Sequence, residues 1–163
     1  MTSSALNRAC AIFLQIVVVL IGVGVLAFLL WQPQVEGRNV NATTFQIYFN
    51  DPFLAYAYAA SIAGFIALAQ AFKLLGLAGN DGLYQPAAVK ALATIKLCAL
   101  ALIGFIALGE VFLVVGSIGS TDDHAGGIMM GVFISFAMTV IAAAAALCER
   151  QVQQVAAMKP GAL

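Results

Sequence analysis

Charge is what this chain lacks most. Seven Lys and Arg and seven Asp and Glu make up 9% of its 163 residues, where soluble domains carry about a quarter. The two signs cancel to a formal net charge of +0, which leaves no basic field of the kind nucleic-acid binding uses. A nucleic-acid role for the chain alone is therefore not expected. Polar stretches are short as well. The longest interruptions run roughly 10 to 20 residues, too little for a soluble domain, so 1–163 reads as a single membrane domain. Chemistry-bearing motifs are missing too. No Walker loop, HExxH, GxSxG or CxxC pairing occurs, and catalysis is left without a residue set. The chain is expected not to be an enzyme and to carry no cofactor or metal.

What is present is apolar. Hydrophobic residues make up 63% of the sequence and the mean hydropathy is +1.03. A water-soluble fold of this size has no way to hide that surface, so the lipid bilayer must act as solvent. The sequence predicts an all-α integral membrane bundle of four transmembrane helices.

The first helix, 9–31, is about 23 residues long, enough to span a ~30 Å hydrocarbon core. Arg8 before it invites a signal-peptide reading. A signal core is about 7–15 residues, and no small-x-small cleavage site follows, so a retained anchor is expected. Trp31 would lie at the interface and Pro33 would stop the helix. Residues 32–52 form an outer loop in which Asn41-Ala42-Thr43 matches a glycosylation sequon, a triplet common by chance. Within it, Thr43 to Phe49 reads either as a short strand or as an interfacial segment. Asp51-Pro52 opens the second helix, 53–75, whose Tyr56 and Tyr58 are interfacial anchors. A cytoplasmic turn, 76–85, holds Gly79-Asn80-Asp81-Gly82. Pro86 opens the third helix, 86–116, about 31 residues or ~46 Å and longer than a bilayer needs. A second outer loop, 117–125, precedes the fourth helix, 126–148.

Orientation follows from the basic residues. With the N-terminus inside, Arg8, Lys73, Lys90, Lys96, Arg150 and Lys159 are cytoplasmic and only Arg38 is outside. That asymmetry places both termini in the cytoplasm. Lys73, Lys90 and Lys96 then form a basic cytoplasmic interface.

Few residues invite a functional reading. Glu110 is the acidic residue set deep within a predicted helix, ~10 Å below its outer end by helical rise. A charge at such a depth is costly, so intramembrane carboxylates are functional candidates by default. The alternatives are a proton or cation site facing the bundle interior, or a carboxyl that stays protonated or meets loop water. Asp122, Asp123 and His124 lie together on the second outer loop. They offer two or three metal ligands, but no other His or Cys cluster completes a shell. Asp122 and Asp123 are better read as an acidic cap on the positive end of the fourth helix. Cys10, Cys98 and Cys148 fall near cytoplasmic helix ends, where packing is expected rather than disulfides. A shared thiolate site and palmitoylation of Cys10 or Cys148 are weaker readings. Gly127-x-x-x-Gly131 has the small-residue spacing that lets helices approach closely, here to pack the bundle. Gln15 and Gln70 stand at similar depth and suit a bond between the first two helices.

Several stretches follow a familiar order. Phe72-Lys73-Leu74-Leu75, Val89-Lys90-Ala91-Leu92, Ile95-Lys96-Leu97-Cys98-Ala99 and Asp122-Asp123-His124-Ala125-Gly126 resemble the bacterial membrane family called domain of unknown function 2975. The resemblance covers roughly residues 54 to 150. The chain departs from the pattern at Tyr84-Gln85, where the family has Phe-Ser, and in its Lys159-Pro160-Gly161-Ala162-Leu163 tail. The resemblance implies four helices with a basic segment between the second and third, in a bacterial inner membrane. It supplies no activity. It implies that some members are encoded beside small helix-turn-helix regulators, which suggests a regulatory or sensing role.

Two functions are therefore expected from different classes. One is a non-enzymatic accessory or regulatory component acting through helix contacts, as a homo-oligomer or with a larger membrane partner. The other is an oligomeric proton, cation or small-solute transporter using Glu110.

Overall fold

The computed structural model describes residues 3–35, 41, 43–49, 52–80, 82–117 and 125–158. Among them the chain is helical: α1 Ser3–Val35, α2 Thr44–Phe49, α3 Pro52–Gly79, α4 Pro86–Ser117 and α5 Ala125–Met158. Four of these, all but α2, are long and apolar enough to cross a membrane. Contacts group the chain into two compact units, Met1–Gly82 and Leu83–Leu163.

In the first unit α1 and α3 run antiparallel. At one end Gln15 donates its Nε2 to the Phe72 carbonyl at 3.0 Å. The expected glutamine pair is thus replaced by a bond from Gln15 to backbone. Glycine makes the approach feasible. A Cβ on Gly76 would stand 3.0 Å from Gln15 Nε2, and one on Gly79 would stand 2.8 Å from the Ala11 Cβ. Beyond Gly79 the helix closes on itself. Gly82 N–H reaches the Leu77 carbonyl at 2.8 Å, a six-to-one bond of the Schellman type. The Asn80 side chain donates to the Gly76 carbonyl at 2.8 Å. α3 therefore reaches Gly79 rather than ending near 75, because its last carbonyls find donors.

At the other end the expectation for Pro33 is corrected. Pro33 lies inside α1, which continues to Val35. A proline deprives the carbonyl four residues earlier of its N–H donor, and that carbonyl belongs to Leu29. It is not left bare: the Tyr58 hydroxyl of α3 donates to it at 3.1 Å. The next carbonyl, Leu30, accepts the Tyr48 hydroxyl of α2 at 2.6 Å and Gln34 Nε2 at 3.3 Å. The helix survives its proline because side chains supply the missing donors.

Residues 44–49 form a helix, which excludes the short strand. Thr43 and Gln46 build a capping box: Gln46 N–H donates to Thr43 Oγ1 at 3.3 Å and Thr43 N–H to Gln46 Oε1 at 2.9 Å. Six residues are too few for a helix that stands alone in water. Here Tyr48 fastens α2 to α1, and Ile47 is buried at 8% exposure.

In the second unit α4 and α5 pair along a stripe of small residues. Ala88, Ala91, Leu92, Ile95, Cys98 and Ala99 are buried on α4, and Ala142 and Ala145 on α5. The α4 spacing of three and four is one face of a helix. Alanines there let the two backbones close on each other. α4 starts at Pro86 as its fixed φ and missing N–H suit. α5 runs on to Met158, well past the expected end at 148. The segment from Glu149 to Met158 holds no glycine or proline, and Val152, Val155 and Ala156 are half-buried.

Candidate functional site

The α4 stripe continues past Ala99, and about three turns further on the same face carries Glu110. On α5 the position about three turns before Ala142 is Gly131. These two residues meet. A Cβ placed on Gly131 would collide with Glu110 Oε1 and lie 3.1 Å from its Cδ. The carboxyl therefore rests on bare α5 backbone, in a notch that only glycine leaves open. One turn outward, Gly127 receives Leu113, whose Cδ1 would be 3.4 Å from an added Cβ. Both glycines of the Gly127-x-x-x-Gly131 spacing are thus turned toward α4.

Glu110 Oε1 is buried and has no hydrogen-bond partner among the described residues. An unmet buried polar group costs about 1–3 kcal/mol. The notch thus holds one acceptor atom whose interaction is still unspent. Asp122, Asp123 and His124 lie outside the described residues. So do the Asn41-Ala42-Thr43 sequon's middle residue, Asp51, Arg38 and Lys159. Among the described residues no three His, Cys, Asp or Glu side chains gather as metal ligands.

The three lysines expected to form one basic surface have different surroundings. Lys96 donates to Glu149 Oε2 at 2.6 Å, with Lys96 36% and Glu149 14% exposed. Lys73 on α3 and Lys90 on α4 are exposed, and they belong to different units. Lys90 borders a shallow groove of about 310 Å³ with Val89, Gln153 and Ala157. The three cysteines are free thiols, Cys98 buried and Cys10 and Cys148 exposed; Cys98 lies in the packed α4 stripe.

Some of this was hidden from sequence reasoning. Glu149 lies just past the expected end of the fourth helix at 148, and nothing in the linear order pairs it with Lys96. The Gly127-x-x-x-Gly131 spacing was visible, but its contact with Glu110 was not. The capping signal Thr43-x-x-Gln46 was there to be read and identifies α2 as a helix.

Comparison with known proteins agrees with a membrane protein. Residues 38–160 match the family model described as "Protein of unknown function (DUF2975)". The chain is also similar to the "Uncharacterized membrane protein YoaS" of Bacillus subtilis (strain 168). The two are 34% identical over 150 residues, covering 91% of this chain and 92% of that one. No solved structure matches.

Proposed function

The chain belongs to the DUF2975 family of membrane proteins, whose description carries no activity, and on that premise we propose a non-enzymatic accessory or regulatory role. It acts through helix contacts with itself or with a larger membrane partner, in a bacterial inner membrane with both termini in the cytoplasm. The observation behind this reading is where the polar side chains of the spans are spent. Gln15 bonds the Phe72 carbonyl, Tyr58 the Leu29 carbonyl and Lys96 the Glu149 carboxylate. Each ties one helix to another within its own unit, and in the first unit the two bonds lie at opposite ends of the α1–α3 pair. Crosslinking in native membranes, followed by purification in mild detergent, tests it. A defined oligomer or a co-purifying membrane protein is expected; a strict monomer without crosslinked neighbours overturns it.

A second reading rests on Glu110, whose Oε1 has no partner among the described residues. In it, an oligomer passes protons or a small cation and Glu110 is the binding carboxylate. Four membrane-spanning helices are few for a pore within one chain, so this reading requires association. Reconstituted in liposomes, wild type passes the ion and Glu110→Gln does not. Equal flux in both removes Glu110 from the role.

A further inference from the structure

The short helix α2 presents a surface that neither reading above uses. Phe45 and Phe49, one turn apart, stack with ring centroids 5.2 Å apart and planes at 20°. They are 69% and 78% exposed, while Ile47 on the opposite side is 8% exposed. The helix is therefore amphipathic with its larger apolar face turned outward, the reverse of a helix docked for burial.

Its level along α1 is set by contact. Tyr48 donates to the Leu30 carbonyl at 2.6 Å and accepts from Gln34 Nε2 at 2.7 Å. Leu30 adjoins Trp31, itself 69% exposed, near the end of the apolar span Ala5–Val35. Tryptophan at the end of a span marks the membrane–water boundary. The stacked phenylalanines are thus held at the level where the apolar span of α1 ends. Two exposed rings facing water at this level would forfeit the burial that lipid offers next to them.

We propose that α2 is an interfacial helix that inserts the Phe45–Phe49 pair into the boundary between headgroups and acyl chains, in the leaflet beside the α1–α3 connection. Its ligand is the lipid surface. The rings lie in the upper acyl region, and the capping box keeps the polar start of the helix at the headgroups. The short helix then fixes the depth of α1, since Tyr48 and Gln34 join the two.

The test uses the full-length protein in phosphatidylcholine vesicles. Trp31→Phe removes the native tryptophan, and Phe49→Trp or Phe45→Trp then introduces a single reporter on α2. Phospholipids brominated at shallow or deep acyl positions act as quenchers from the membrane, and acrylamide acts from water. The proposal expects shallow-brominated lipid to quench either reporter several-fold more than deep-brominated lipid, with acrylamide quenching several-fold weaker than for free tryptophan. Ready acrylamide quenching without lipid quenching places α2 in water and overturns it. Stronger quenching by the deep label overturns the interfacial depth. Protection from both quenchers means that protein, such as a second copy, covers the rings, which also overturns it. The two reporter positions guard against one substitution disturbing the helix.

Discussion

Lys96 Nζ lies 2.6 Å from Glu149 Oε2, joining α4 to α5 about 20 residues from the other ends of these helices, the length that spans a hydrocarbon core. The pair therefore lies about one hydrocarbon-core length from those ends. Its members differ in exposure, 36% for Lys96 and 14% for Glu149, and the loss of either is unequal as a result. Lys96→Met leaves a sheltered carboxylate unpaired and is expected to destabilise by about 1–2 kcal/mol. Glu149→Gln leaves a lysine that reaches water, and costs about 0.5–1 kcal/mol after solvent screening. Detergent unfolding followed by circular dichroism, with the double variant closing the cycle, measures the coupling. Additive single effects would show the pair contributes nothing.

A proline and a tyrosine in different helices are linked through the Leu29 carbonyl. Tyr58→Phe removes the hydroxyl that serves it and is expected to cost about 1–2 kcal/mol. Pro33→Ala restores the backbone N–H that would otherwise serve that carbonyl. In the Pro33→Ala background the Tyr58→Phe cost should therefore shrink to a few tenths, roughly the noise of the same unfolding measurement. An undiminished cost would mean Tyr58 acts through packing alone.

The close approach of α3 to α1 at Gly79 leaves no room for a methyl group. The methyl added by Gly79→Ala would stand 2.8 Å from the Ala11 Cβ, and neither atom sits on a flexible arm. Overpacking of this kind costs about 1–3 kcal/mol. Ala11→Gly in the same chain should recover most of the loss, and thermal unfolding of the single and double variants reads the difference.

Gly131→Ala meets a different neighbour. Its methyl would collide with the far end of the Glu110 side chain, which can swing away. The expected cost is about 1 kcal/mol, smaller than at Gly79. It should fall further in a Glu110→Ala background, where the notch is empty. Equal costs in both backgrounds would show that the carboxyl does not rest there.

Much of this architecture was legible beforehand. Apolar runs long enough for a bilayer and Pro86 as a helix start are one-dimensional signals, and the four long helices follow from them. Helix ends were less legible. They depend on who satisfies the last carbonyls, and at Pro33 the answer lies in Tyr58 and Tyr48, 25 and 15 residues away in sequence. The reach of α5 to Met158 likewise goes with Val152, Val155 and Ala156 being half-buried, which linear order does not reveal. Glu110 stood out because charge is scarce in apolar helices. Its seat on Gly131 did not, because a glycine's bareness acquires meaning only once its neighbour is known.

The proline near the top of α1 has one more consequence. With its own ladder interrupted, the last turn of that helix is kept closed by hydroxyls carried on α2 and α3. Amide hydrogen exchange of Gln34 and Val35 therefore reports on segments elsewhere in the chain. A disturbance of α2 at the lipid surface would register as faster exchange in α1, while the rest of the span keeps its protection. The end of the first span is in this sense a gauge, read in its own backbone and set by its neighbours.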